Sequence, residues 1–352
     1  MNHPHSQTIK RDIMCNRVFF IFTLVFIAAC STPQGKSPIV INEELLTIKV
    51  PDDYRTITEA ISAVKAPCNI YVKPGVYNES ISLKSGITLI GLGKDRSETI
   101  IQPKGNSAVI KVSSAKNVQI GNLTINVRAR ANFGIQVKDS SVVIYDCIIE
   151  NAIGGTGLAA LNSEVNMQDS YIKVCGAGLK FRTTSVLVKN NRIRACDIGL
   201  YFHATSGIVE DNEITMNNYV TIEDFDPRRV LVFRNNRIDR SGVLSIKGTS
   251  TTKFRNNYIG AHNMSMIIDP TAQPDFGTKD DLGKNTILCL INGWRDENPI
   301  YMVGNYWGSR YGPLPRKISK GLRSFLIVQP CLAAPPSGSK QMMFFRGYNN
   351  NR

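Results

Sequence analysis

Between Val118 and Ile259 the chain writes one phrase seven times: VQIGNLTI (118–125), VVIYDCII (142–149), VNMQDSYI (165–172), VLVKNNRI (186–193), GIVEDNEI (207–214), LVFRNNRI (231–238) and TKFRNNYI (252–259). The closing isoleucines, Ile125, Ile149, Ile172, Ile193, Ile214, Ile238 and Ile259, follow one another at spacings of 24, 23, 21, 21, 24 and 21 residues. A second phrase, Gly then alternate apolar residues, recurs at Gly134-Ile-Gln-Val137, Gly157-Leu-Ala-Ala160, Gly178-Leu-Lys-Phe181 and Gly199-Leu-Tyr-Phe202. Apolar residues alternate inside each phrase, which is the period of a strand whose side chains point to opposite faces in turn. With a rise of about 3.3 Å per residue, a repeat of about 22 residues holds three short strands and three turns, and it brings the chain back beside itself about 4.8 Å away. The expected architecture is therefore all-β, a single-stranded parallel β-helix. Leucine-rich repeats have a similar period, but their alternating Leu scaffold is missing.

Two turn positions align between copies. Asn191, Asn212, Asn236 and Asn257 each stand two residues before the closing isoleucine, with Cys147 and Ser170 in the same slot of earlier coils. Asn carries both a donor and an acceptor and tolerates left-handed backbone, so stacked copies form an amide ladder. Cys175 and Cys196, each three residues past an isoleucine, read as small buried members of a stack, and the absence of any CxxC argues against a zinc ribbon or a thioredoxin-like site. A solenoid must also cover its exposed ends. Thr56-Ile-Thr-Glu59 is a capping box, and Ile57, Ala60, Ile61 and Val64 fall at helical spacing, which predicts a short amphipathic N-terminal capping helix over 56–65. DPTAQPDFGTKDD (269–281) interrupts the repeat as a loop, and a C-terminal cap is expected from about Gly304 to Pro330.

The N-terminus carries the sharpest local signal. VFFIFTLVFI (18–27) follows Arg17 and is an apolar run of export-signal length, too short to span a bilayer comfortably. It leads into Ala28-Ala29-Cys30 and the polar stretch STPQGKSP, which resembles the processing site of bacterial lipoproteins. That resemblance implies a lipid on Cys30, which becomes the mature N-terminus, and with Ser31 following it implies outer-membrane anchoring, periplasmic or surface-facing. The domain reading is a signal peptide at 1–29, a tether at 30–47, the β-helix at 48–330 and a mobile tail at 331–352. The formal charge is +14, and little of it belongs to the leader, where Lys10, Arg11 and Arg17 face Asp12. A strongly basic exported chain points to a polyanionic partner such as acidic polysaccharide. The cations are scattered, without the clusters interleaved with aromatics that bind nucleic acid, so no nucleic-acid partner is expected, and the chain reads as a monomer.

VPDDYRTI (50–57), VKPGVYNE (72–79), TLIG (88–91), the NN-x-I repeats, DLG (281–283) and GNYWG (304–308) together resemble the right-handed, pectate-lyase-like β-helix proteins of the carbohydrate-binding and sugar-hydrolase class, over nearly the whole mature chain. The resemblance implies right-handed winding and a glycan-related role, but such scaffolds host lyases, esterases, epimerases and pure binders. Pectin methylesterases share the opening, and Asp197-Ile-Gly-Leu-Tyr-Phe-His203 with Ile222-Glu-Asp-Phe-Asp226 stand where their two Asp phrases would fall. The Gln-bearing element appears as Gly176-Ala-Gly-Leu179, and no late Gly-Arg-Pro-Trp occurs, so the set is incomplete. Gly-His-Gly with paired acids and Asp-Pro-His-Asp are absent as well. One step beyond the second strand phrase of successive coils stand Lys138, Arg182, His203, Glu223 and Lys247, joined by Asp224, Asp226 and Asp269. These predict an exposed mixed-charge stripe. Its cations suit uronate or phosphate, His203 suits proton transfer near neutral pH, and Glu223 or Asp224 suits a base or a Ca²⁺ ligand. A solvated face of alternating charge is the plain alternative. The sequence thus points to an envelope lipoprotein that binds acidic polysaccharide and needs no cofactor, with Ca²⁺ the one ion the acids suit. A carbohydrate esterase or polysaccharide lyase with a divergent site, and a structural, adhesin-like surface protein, are the other two readings.

Overall fold

The computed structural model describes residues 45–260, 263–295 and 297–337. The leader, Cys30, most of the tether and most of the tail lie outside the described residues. Within them, 26 strands join through parallel pairings into one continuous sheet, wound into a right-handed β-helix of about 12 turns. Each turn contributes to three faces. Sheet 1 is typified by Ser185–Lys189 and Ser206–Glu210, sheet 2 by Arg192–Arg194 and Glu213–Thr215, and sheet 3 by Ile198–His203 and Tyr219–Asp224. Where the turns flatten, one strand runs through several faces, as Ser141–Leu161 does.

Register follows from the apolar columns. Ile125, Ile149, Ile172, Ile193, Ile214, Ile238, Ile259 and Ile287 pair in that order between adjacent coils, and every one is buried. A slip of one residue would turn a whole column to water, so the hydrophobic effect holds the coils in register. Phenylalanine rings extend the packing along the axis: Phe181 stacks on Phe202 at 5.1 Å, and Phe233, Phe254 and Phe276 follow at 5.4 and 4.4 Å.

The predicted ladder is present and longer than the repeat reveals. The amide N–H of Cys147 donates to Ser170 Oγ, that of Ser170 to Asn191 Oδ1, and the chain continues through Asn212, Asn236, Asn257, Asn285 and Asn305. Each Asn side chain also donates to a carbonyl of the preceding coil, as Asn212 Nδ2 does to Val188 at 2.8 Å. The buried turn amides of the ladder, from Cys147 to Asn285, thereby find partners, which a buried backbone requires.

At the N-terminal end α1 (Ile57–Ala63) seats Ile57, Ala60 and Ile61 on the first coils, and Thr56 and Glu59 form the capping box. The helix is shorter than its spacing predicts, because Val64 is already extended. Glu79, one coil on, accepts hydrogen bonds from the amides of Ile57 and Thr58 at 2.9 and 2.8 Å and from the Thr58 hydroxyl at 2.6 Å. An anion there satisfies amides that no helical carbonyl can reach. At the other end two short 3-10 segments, Pro315–Lys317 and Lys320–Phe325, bury Ile318 and Leu322 over the last coils.

Candidate functional site

The three outer faces treat charge differently. On sheets 1 and 2 most strand cations meet carboxylates: one coil away Lys189 and Arg234 close on Glu210, Lys173 on Glu150, Arg192 on Glu213, and Arg255 on Asp275 and Asp281, and within one strand Arg237 closes on Asp239, while Lys253 and Arg194 form no ion pair among the described residues. On sheet 3, Lys111, Lys138, Lys180, Arg182 and Lys247 stand exposed, and among the described residues none of them forms an ion pair. Cations left unpaired on one face attract an external anion.

Strand pairing places the predicted stripe in a single column. Lys138, Leu161, Arg182, His203, Glu223 and Lys247 are successive register partners on the outside of sheet 3. Leu161 is exposed and interrupts the charge. A parallel column two residues upstream, Lys111, Gln136, Ala159, Lys180, Tyr201 and Thr221, shares the face. The small Ala159 side chain leaves a depression of about 190 Å³ among Lys138, Lys180 and Arg182. Lys180 also lies 5.9 Å from the centre of the Tyr201 ring.

Beside this depression three titratable groups converge. The Tyr201 hydroxyl donates to Glu223 Oε2 at 2.8 Å, and His203 Nδ1 lies 3.4 Å from the same oxygen. Burial pushes the Glu223 carboxyl up, but the Tyr201 and His203 hydrogen bonds and the His203 and Lys247 charges outweigh it and hold the group below the ordinary carboxylate range. Burial, then the Glu223 hydrogen bond and charge, raise the Tyr201 phenol. The loop after this strand projects over the edge of the face. Arg229 Nη1 donates to the Ala204 carbonyl at 3.0 Å, and the Phe225 ring, 62% exposed, sits 6.1 Å from the His203 ring. Phe225, Tyr201 and the half-exposed Tyr219 give the face flat apolar surface next to its charges.

The three aspartates do not join the stripe. Asp224 is buried and accepts the Asp226 amide, because neighbours on a strand point to opposite sides and Glu223 takes the outer one. Asp226 is held by Arg228 at 2.9 Å, and Asp269 Oδ2 lies 3.4 Å from the Gly248 amide. The carboxylates therefore do not converge as a Ca²⁺ site needs, and among the described residues no group of three or more His, Cys, Asp or Glu side chains is placed to hold a metal ion. The two pectin-methylesterase-like phrases are separated too. Asp197 precedes Ile198–His203 and accepts from Asn218, whereas Asp226 follows the far end of the next strand, roughly 20 Å away along the strand direction.

Sequence reasoning missed Lys180 and Tyr201, although period-two alternation sets them on the same face as Arg182 and His203. Phe225 had a weaker signal, the three extra residues of the coil from Ile214 to Ile238.

The stacked coils and their charged outer face define a right-handed parallel β-helix protein. The family described as "Right handed beta helix region" matches residues 107–259. Solved structures of similar winding include the A-module of mannuronan C-5 epimerase AlgE6 from Azotobacter vinelandii, with 14% identity, 80% of this chain and 94% of that chain covered, and a TM-score of 0.48. An alginate lyase from Paenibacillus sp. str. FPU-7 has 13% identity, coverage of 65% and 95%, and a TM-score of 0.44. Pectin methylesterase PemA from Erwinia chrysanthemi has 13% identity, coverage of 84% and 91%, and a TM-score of 0.35. No match was found among curated protein sequences.

Proposed function

We propose that the protein binds an acidic polysaccharide along the outer face of sheet 3. The observation that carries this reading is the set of cations without an ion pair among the described residues, Lys111, Lys138, Lys180, Arg182 and Lys247, gathered on one face, where sheets 1 and 2 pair most of theirs. Cations spread along one face suit an anionic polymer laid across it, and Tyr201, Tyr219 and Phe225 offer ring faces to the sugars. Export by the leader and acylation of Cys30 belong to the same proposal and place the face at the cell envelope. Mass spectrometry of the N-terminal peptide tests that part.

Binding of polyuronate, measured by titration calorimetry against a neutral glucan, tests the main claim. Affinity for the polyuronate is expected to fall at least tenfold in Arg182→Ala plus Lys247→Ala and to weaken with salt. Equal affinity for the glucan, or unchanged affinity in the double variant, contradicts it.

A second reading, turnover of the bound chain, is favoured by the sharing of Glu223 between Tyr201 and His203. In a β-elimination, His203 takes the proton next to a uronate carboxyl that the cations neutralise, and Tyr201, whose phenol holds its proton, gives it to the leaving oxygen. The same incubations, examined for unsaturated chain ends, separate the readings: ends that appear with the parent and vanish with Tyr201→Phe establish turnover, and none with the parent leaves binding alone.

A further inference from the structure

The corner joining sheet 2 to sheet 3 is built from residues that folding does not explain. The regular coils turn through left-handed residues at these corners. At the corner between sheets 1 and 2 that residue is Asp or Asn from Asp146 through Asp169, Asn190, Asp211 and Asn235 to Asn256, the side chains best suited to positive φ. At the corner between sheets 2 and 3 the equivalent stack, continuing from Asn151, is Val174, Ala195, Met216 and Arg240, with φ of 55°, 54°, 58° and 49°. A β-branched side chain is poorly tolerated in that conformation, yet Val174 adopts it with its side chain turned to solvent. Strain retained at the surface is a sign of use rather than of packing.

The exposed side chains have a consistent chemistry. Ile153 (64% exposed), Val174 (39%) and Met216 (43%) form an apolar crest along the axis. Arginines flank it. Arg128, Arg130 and Arg194 are exposed and, among the described residues, form no ion pair with a carboxylate, Arg194 Nε lying 3.2 Å from Met216 Sδ, while Arg240 approaches Asp239 at 3.8 Å. The acids nearby are engaged, Glu150 with Lys173, Glu213 with Arg192, and Asp239 with Arg237; among the described residues Asp197, hydrogen-bonded to Asn218, adds negative charge without an ion pair. From Ala129 to Arg240 the crest crosses six coils, roughly 24 Å.

We propose that this edge rests on an anionic lipid surface, the crest entering the headgroup layer and the arginines meeting phosphate. Apolar tips ringed by arginine match the two requirements of interfacial binding, burial of apolar area and attraction to anionic lipid. A glycan would satisfy the arginines without a reason for Ile153, Val174 and Met216, and an apolar protein surface would leave the arginines unneutralised.

The test uses the full chain carrying Cys30→Ala, so that no acyl chain contributes, and sedimentation with vesicles of phosphatidylglycerol or of phosphatidylcholine. Binding to the first and little to the second is expected. Val174→Asn with Met216→Asn should weaken it at least tenfold while leaving the thermal midpoint equal or higher, because Asn suits the left-handed turn. Arg128→Gln, Arg130→Gln and Arg194→Gln together should weaken it about a hundredfold at low salt. Lys180→Gln with Arg182→Gln, on the glycan face, should not change it. The proposal is overturned if the parent ignores phosphatidylglycerol, if the sheet 3 variants rather than the crest variants abolish binding, or if the crest variants instead dissolve a dimer seen by ultracentrifugation.

Discussion

Asp224 and Glu223 stand side by side in the chain and behave oppositely. Glu223 faces out into hydrogen bonds and cations that hold its carboxyl low, whereas burial, only partly offset by the amides of Asp226 and Phe225 and by Arg229, raises Asp224. A carboxyl raised by folding favours the native state fully below its unfolded value of about 3.9, and that contribution is lost as pH rises through the folded value. At neutral pH the Asp224 charge therefore opposes folding. Asp224→Asn keeps an oxygen for the Asp226 amide and should raise the thermal midpoint at pH 7, an advantage that thermal melts should show shrinking as pH approaches about 4. An unchanged midpoint at pH 7 would mean that Asp224 is solvated. The thiols of Cys147 and Cys289, pushed up to about 12 by burial, fit small core members of the stack better than reactive groups.

The Asn ladder is the element on which the coils depend most visibly. Asn236 accepts from the Asn212 backbone and side-chain N–H groups through Oδ1 and donates to Val209 and Asn257 through Nδ2. Asn236→Ala strands buried donors and an acceptor at once and should cost about 3 kcal/mol, measured by urea unfolding, with binding of polyuronate to the folded variant unchanged. Loss below about 1 kcal/mol would mean that water replaces the amide. Most of this element was legible, because spacings of 21 to 24 residues align Asn191 through Asn257. Its last members were not, since Asn285 and Asn305 follow at 28 and 20 residues, where the DPTAQPDFGTKDD loop breaks the period. Glu79 was hidden for another reason. It reads as a strand-edge acid, and only the winding brings it under the first turn of α1.

For the whole molecule, the formal charge of +14 states only that cations exceed acids; their segregation is a property of the winding. Register could be read from the closing isoleucines, and with it the column from Lys138 to Lys247. Which cations find a partner could not, because a partner such as Glu210 for Lys189 lies one coil away and depends on which side of the strand each residue faces. Hydroxyl-radical footprinting in the presence and absence of polyuronate tests most directly whether sheet 3 is the binding face. Protection of Tyr201, His203, Tyr219 and Phe225, with Tyr171 on sheet 2 and Tyr145 on sheet 1 unchanged, is the predicted result. Protection confined to Tyr171 or Tyr145, or spread evenly over all three faces, would contradict it.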